Sequence, residues 1–453
     1  SEGEVAHSAG AAYVDITTGE FAAVELSGED LAGAIRAELI RLRPAEIIYP
    51  EGFSLAEGFP GHLSKWPAWR FELNRCKDAL SEHFKVSKLD GFGLRGMNLA
   101  VQAAGAVLQY IGETQPRALS LLVSINTYNL SDFMTLDAAT RRNLELTETI
   151  RQGDIHGSLL SVLDQTTSPM GKRLLRQWVS KPLLDISVIA QRQEGVETFL
   201  EQGILRAEMR SALRSLGDLE RLTNRAITGH ALPYDLTAMR STLQALPGLI
   251  ALFPLEQNPL EPVCKKIARC ETELALLEAA ISDEPPATLQ NTGVIRPGYS
   301  TELDHVIEAS RHAREWIANL ENVERERTGI RSLKVGYNKV FGYYIEITHS
   351  NTNSVPADYI RKQTLVNAER YITPEMKEYE ALVLNAEERI HEIEVRLFKQ
   401  VCAQIAASSQ KLLETARALA ELDVLASLAE TAAIQHYCRP IVSEDTVLAI
   451  RDG

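Results

Sequence analysis

The spacing of hydrophobic positions switches from helical to strand-like and back between residues 331 and 380. From Ser300 to about Thr328, Leu303, Val306, Ile317, Leu320 and Val323 fall at helical spacing. Phe341, Tyr343, Ile345 and Ile347 then alternate with Gly342, Tyr344, Glu346 and Thr348, the period-two pattern of a half-buried strand. Helical spacing returns at Thr373, placed to cap a helix that opens with Pro374 and Glu375. Ile390, Ile393, Leu397, Val401, Ile405, Leu412, Leu419 and Leu422 continue one apolar stripe, so a single helix is expected to about Ala420. At ~1.5 Å per residue it would span roughly 70 Å. A helix of that length must project from any small domain. The pattern therefore predicts a β-rich lobe carried between two long antiparallel helices.

Ahead of this region the pattern is α/β and then helical. Ala12–Ile16 and Phe21–Leu26 alternate on either side of the turn Thr17-Thr18-Gly19-Glu20 and predict a hairpin. A helix is expected from Asp30 to about Leu42, stopped by Pro44, with a short buried strand at Glu46–Tyr49. From Met97 to about Ser282 helices dominate. Ser168 and Pro169 supply a cap and first position for a helix ending before Pro182, and Asp185 caps the next, which Gly203 is expected to close. After Gln435 the text turns strand-like at Thr446–Ile450.

With 453 residues the chain exceeds one ordinary core, and roughly two to four domains are expected. At 45% hydrophobic and 24% charged it has a globular balance, and no apolar run is long enough to span a membrane. The five cysteines are scattered and contain no CxxC pair, which suits free thiols in a reducing cytoplasm. The chain opens without Met and stops in mid-pattern, as an excised fragment would.

Charge singles out the lobe. The whole chain carries −14, whereas Arg331–Tyr371 holds six basic residues (Arg331, Lys334, Lys339, Arg361, Lys362, Arg370) against three acids (Glu346, Asp358, Glu369). Basic side chains mixed with Asn338, Asn351, Asn353, Asn367 and tyrosines suit phosphate contact more than base reading.

Three other motifs invite chemistry. Asp15 on the first strand, with Glu20 and Glu46, has the residue types of a metal-dependent nuclease, or Asp15 simply orders the adjoining turn. Gly91, Gly93 and Gly96 fit G-x-G-x-x-G, but follow helix-like text and lead to no returning strand, so a flexible junction is expected there. Met170-Gly171-Lys172 lacks the upstream Gly and the Ser/Thr of a phosphate-binding loop, and G-x-x-x-x-G-K-[ST] occurs nowhere in the sequence.

The blocks SLKVGYNKVFGYYIEIT and YIRKQTLVNAERYITPEMKEYE resemble the clamp of the MutS family of DNA mismatch-repair proteins. GAAYVDITTGEF and RLRPAEIIYP resemble its connector, and FMTLDAATRRNLEL with SVLDQTTSPMGKRLLRQWVSKPL its core. The resemblance implies a mainly α, multidomain chain. Residues 1–88 would be a ribonuclease H-like α/β connector without nuclease activity, and residues 89–299 a helical core. Residues 300–328 would form the first lever helix, 329–373 the clamp, 374–433 the returning lever and core, and 434–453 the start of an ATPase domain.

It further implies non-specific backbone contact with double-stranded DNA through Lys334, Asn338, Lys339, Arg361, Lys362, Asn367 and Arg370. A MutL-type protein would dock on the connector. The full-length family is homodimeric and uses ATP and Mg in its ATPase domain; no catalytic residue, cofactor or metal is expected within these residues. A helical arm whose lobe binds protein, and a metal nuclease through Asp15, are the competing readings.

Overall fold

The computed structural model describes residues 8–28, 30–53, 61–86, 88–128, 133–134, 136, 138–253, 258–338 and 342–451. In chain order they form strands β1 (Ser8–Asp15) and β2 (Glu20–Ser27), helix α1 (Leu31–Leu42), strands β3 (Glu46–Pro50) and β4 (His62–Trp66), helices α2 (Leu73–Phe84) and α3 (Asn98–Thr114) and strand β5 (Asn126–Thr127). Helices α4 (Ala138–Asn143), α5 (Leu159–Leu163), α6 (Pro169–Ser180), α7 (Ile186–Glu201), α8 (Gly203–Arg214), α9 (Leu219–Thr228), α10 (Pro233–Ile250), α11 (Glu261–Cys264) and α12 (Glu271–Ala280) follow. The rest is α13 (Thr301–Thr328), β6 (Lys334–Asn338), β7 (Gly342–Thr348), β8 (Ile360–Thr364), β9 (Ala368–Ile372), α14 (Pro374–Ala407) and α15 (Ser409–Gln435). Two compact units result: Ser1–Ala231, Ala238–Leu274 and Cys402–Gly453 form one, Leu232–Thr237 and Ala275–Val401 the other.

In the first unit the expected hairpin forms, with β1 and β2 antiparallel in the register Asp15 opposite Glu20. β5 adds in parallel to β2, while β3 pairs in parallel with β4 in a separate two-stranded sheet. Helix α3 lies directly on the hairpin: a Cβ on Gly10 would stand 2.0 Å from the Leu99 carbonyl oxygen. Its Ala100, Val101, Ala104 and Leu108 share a core with Phe21, Ala23, Cys76, Leu80, Leu121 and Ile125. A boundary at residue 88 therefore falls inside one packed core. The glycine run is no flexible junction either. Leu89, Phe92 and Leu94 join that core, and Thr127 Oγ1 donates to the Phe92 carbonyl at 3.1 Å.

The helical part of this unit is organised around α15, which packs against α6, α7, α8 and α9 and buries residues on nearly every side. Ser168 caps α6 and Asp185 caps α7 as expected. Gly203 does not close α7; it is the first residue of α8, after Gln202. The single helix expected beyond Thr373 is two. Ser408 leaves helical geometry (φ −99°, ψ 14°), and its N–H bonds the Ile405 carbonyl at 3.0 Å in a tighter turn. Consecutive serines, which compete locally for backbone hydrogen bonds, stand at that break. The strand expected at Thr446–Ile450 is absent: Val447, Leu448 and Ile450 are largely exposed. A strand needs a neighbour for its N–H and C=O groups, and the described residues offer none there.

In the second unit Ser300 caps α13 and Gly329 ends it in the left-handed conformation, φ 68°. α14 runs antiparallel to α13. Glu302 near the start of α13 binds Arg389 and Arg396 of α14, and Trp316 stacks on Tyr379 with centroids 3.9 Å apart. Ala313, Ile317 and Val383 fill the seam between them. Thr373 Oγ1 accepts from Met376 N at 3.0 Å and caps α14, whose 34 residues extend about 50 Å at ~1.5 Å each. Between the helices sits an antiparallel sheet in the order β6-β7-β9-β8.

Candidate nucleic-acid interface

The sheet is fastened to the end of α13 by backbone-directed side chains. Glu321 accepts from Val335 N at 3.0 Å, and Arg325 Nε donates to the Leu333 carbonyl at 2.8 Å. Glu324 accepts from Tyr359 Oη at 2.7 Å and pairs with Arg327, which also reaches Asp358 at 3.0 Å. Those two carboxylates hold the Arg327 guanidinium above its ordinary pKa, Glu324 first, while burial raises the Tyr359 phenol. At the opening of β7, Gly342 has φ 77° and Tyr343 N donates to Glu380 at 3.0 Å; a Cβ there would overlap that carboxylate.

Strand alternation sorts the residues onto two faces. Val335, Tyr343, Ile345, Ile347 and Tyr371 pack with Trp316, Leu320 and Met376 on the helix side. The opposite face carries the other parity: Lys334, Gly336 and Asn338 on β6, Tyr344, Glu346 and Thr348 on β7, Arg370 on β9. Register brings Lys334, Glu346, Arg370 and Gln363 into one row across all four strands.

Of the seven residues named from the sequence, three share this outer face: Lys334, Asn338 and Arg370. Lys334 is exposed and makes no ion pair with a described residue. Arg370 is already engaged, with Nε 2.9 Å from Glu346, Nη1 3.2 Å from Gln363 and its guanidinium 4.0 Å from the Tyr344 ring centre. Arg361 belongs by register to the helix-side parity, opposite Tyr371, and pairs with Glu369 at 3.3 Å. Hydrogen bonding from Tyr371 and the neighbouring Arg361 hold the Glu369 carboxyl below the usual range. Lys362 sits at the bulge between Arg361 and Gln363, exposed. Asn367 is exposed in the β8–β9 turn beside Val366, and its carbonyl accepts from His349 N at 3.3 Å. Lys339 lies outside the described residues, as does Phe341.

The basic excess read from the sequence is thus partly internal, because Glu346 and Glu369 neutralise Arg370 and Arg361. One outer-face residue was missed. Tyr344 reaches across β6, so that a Cβ on Gly336 would meet its hydroxyl and ring at 2.7–3.0 Å, and the Arg370 guanidinium stands over that ring. The signal was present: Tyr344 shares the parity of Glu346 and Thr348, not that of Tyr343, which packs on the helix side.

Asp15 is taken up by the hairpin turn. Its Oδ1 accepts from Thr17 N at 2.8 Å and Thr17 Oγ1 at 2.7 Å, ordering the hairpin turn. Glu20 is bound by Tyr13, Glu46 by Ser64 and Tyr110, and no group of three or more metal-ligating side chains occurs among the described residues. The glycine run follows helix α2 and not a strand, which removes the dinucleotide reading. Among the described residues no helix is long and apolar enough to cross a membrane.

The sequence that builds these elements has relatives among known proteins. Residues 139–429 match the family model of MutS domain III and residues 1–123 that of MutS domain II. The chain belongs to the MutS family. It is 42% identical to the DNA mismatch repair protein MutS of Symbiobacterium thermophilum, over 98% of this chain and 51% of that protein. It is 41% identical to the MutS of Alkaliphilus oremlandii over 98% of this chain and 52% of that protein, and 39% to that of Methanosarcina barkeri over 98% and 51%. The chain spans about half the length of the curated relatives it matches.

Proposed function

We propose that this chain serves DNA mismatch repair by embracing duplex DNA, with the sheet between α13 and α14 as a clamp and the two helices as levers. One observation carries this reading. The sheet face turned away from the helices bears an uncompensated cation, Lys334, in a row of polar side chains, on an element bound to its carriers by hydrogen bonds and by a shared hydrophobic core. Lys334, Asn338, Lys339, Lys362 and Asn367 are the proposed phosphate contacts. Arg361 and Arg370 contribute only where phosphate displaces Glu369 and Glu346. Contacts of this kind recognise the backbone without reading bases.

The family also supports a wider proposal. The N-terminal α/β segment docks a MutL-type partner, the whole protein works as a homodimer in the cytoplasm, and ATP with Mg acts in an ATPase domain linked through the levers. In this proposal the residues present here bind and transmit, and perform no catalysis.

Fluorescence anisotropy of a labelled duplex, titrated with the full 453-residue chain between 50 and 200 mM salt, tests the DNA reading. Affinity is expected to fall steeply with salt and to be equal for matched and mismatched duplexes. A variant with residues 333–372 replaced by a short turn should lose binding. If that variant binds as well as the parent chain, the clamp assignment is wrong and the lobe serves some other partner.

A further inference from the structure

Where α1, Tyr128, α4 and the end of α6 meet in the first unit, a small cleft of about 40 Å³ opens, lined by Glu38, Arg41, Tyr128, Met134, Arg141 and Lys181. By the ~10–15 Å³ that a single water needs, it has room for roughly three heavy atoms. Lys181 follows directly on α6, and backbone hydrogen bonds fix its place. Its N–H donates to the Gln177 carbonyl at 3.0 Å, and Met134 N donates to the adjoining Pro182 carbonyl at 2.8 Å. Lys181 is half-buried and lines the cleft, and its Nζ, unlike Arg141 Nε, is not sealed from solvent.

The amine is held among rings rather than against a carboxylate. Nζ stands 3.9 Å from the centre of the Tyr128 ring, 5.4 Å from that of Phe133 and 5.9 Å from that of Tyr13. The acids that face it are committed elsewhere: Glu38 to Arg41 and the Tyr128 hydroxyl, Glu20 to the Tyr13 hydroxyl at 2.5 Å. Arg41 faces the same two tyrosines, its guanidinium 5.8 Å from the centre of Tyr13 and 5.9 Å from that of Tyr128. Arg141 donates to the Ser180 carbonyl at 2.8 Å, one residue before Lys181. Three cations therefore share this site with two carboxylates.

These surroundings disfavour the ammonium. The rings attract a cation, but removal from water and the like charges of Arg41 and Arg141 oppose it, and Glu38 and Glu20 offset only part. Burial first, and then Arg41, bring the Lys181 pKa down to about 8. At pH 7.5 about a quarter of such an amine is neutral, against roughly one in a thousand for an ordinary lysine. A neutral amine open to a cleft is a nucleophile. Converting it to an amide would leave two cations facing two carboxylates.

We propose that Lys181 is a modification site that takes an acetyl group from a small acyl phosphate. Nζ attacks the acyl carbon and forms the C–N bond. The C–O bond to phosphate breaks, phosphate leaves with the electron pair, and Nζ releases one proton to water. The acetyl group fills the cleft, whose size matches it, and the phosphate departs through the open side. The product is neutral, so the cation is lost from the rings of Tyr128 and Tyr13. The inference does not depend on the DNA reading, since no residue of the sheet takes part.

Treating the full chain with acetyl phosphate, then locating the acetyl groups by proteolysis and mass spectrometry, tests it. Lys334, exposed and unpaired, serves as the internal reference. The gain in neutral fraction, roughly two-hundred-fold, is cut by the weaker basicity and narrower access of the Lys181 amine. At pH 7.5 Lys181 is therefore expected to acetylate about ten-fold faster than Lys334, and in 8 M urea at the same rate. Its rate should flatten above about pH 8, where the amine is already neutral, whereas that of Lys334 should keep rising to pH 9.5. Arg141→Gln removes a like charge and should move the flattening to higher pH. If that variant fails to fold, the pH profile of the parent chain decides the point. A Lys181 rate no greater than that of Lys334 in the folded chain, a preference that survives urea, or a rate that climbs with pH as that of Lys334 does would each overturn the proposal.

Discussion

Removing the carboxylate of Asp423 tests how α15 is locked to α6. Asp423 is fully buried. Its Oδ1 accepts from Thr167 N at 3.0 Å and Thr167 Oγ1 at 3.1 Å, and its Oδ2 from Ser168 N at 2.7 Å and Ser168 Oγ at 2.6 Å. Ser168 Oγ in turn accepts from Gly171 N at 3.0 Å as the α6 cap. Asp423→Ala strands two backbone N–H groups at about 1–3 kcal/mol each and removes a charged acceptor from two hydroxyls. Relief from burying a carboxylate offsets part of this, leaving a net loss of about 3 kcal/mol. Asp423→Asn keeps the shape but turns an NH₂ toward donors, for a loss of about 2 kcal/mol. With m of about 3 kcal/mol/M, the alanine variant should move the urea midpoint of this unit down by about 1 M. Hydrogen exchange at Thr167 and Ser168 should accelerate more than in α7. Gly171→Ala probes the same lock from the other side, because a Cβ there would lie 2.2 Å from Asp423 Oδ2. It should cost about 1–3 kcal/mol alone, and less on the Asp423→Ala background. If both Asp423 variants stay within about 0.5 kcal/mol of the parent, the carboxylate is not the lock.

In the sheet, Lys334→Ala should reduce the log–log salt slope of duplex binding by about one unit, equally for matched and mismatched DNA; an unchanged slope removes Lys334 from the contact set. Arg370→Ala should instead act on stability, by about 1–2 kcal/mol through the lost Glu346 pair and Tyr344 contact, seen as a lower melting temperature of the second unit. Gly336→Ala should push the Tyr344 ring off β6, read by NMR as shifted Tyr344 ring resonances; unchanged resonances would contradict the packing described. Of the five thiols, Cys438 is exposed and the other four are buried, with burial pushing Cys76 and Cys264 up to about 11. A colorimetric thiol reagent at pH 7.5 should therefore label one cysteine quickly and the rest only in denaturant.

What the sequence determined by itself was local. The hairpin around Asp15 and Glu20, the Ser168, Asp185, Ser300 and Thr373 caps, and the period change into β7 depend on residues a few positions apart, and each was legible. The family was legible too, because long ungapped blocks preserve it. What only the tertiary structure decided were matters of partnership. Thr446–Ile450 reads as a strand but has no described neighbour to pair with. α3 reads as the start of the helical region, yet packs on β1 and β2. The apolar stripe from Ile390 to Leu422 is continuous in sequence although Ser408 divides it. In the candidate interface, counting charges could not reveal that Glu346 and Glu369 take up Arg370 and Arg361, because cross-strand register sets those pairs. The cleft at Arg41, Tyr128 and Lys181 joins segments roughly fifty to ninety residues apart, and no spacing along the chain encodes that.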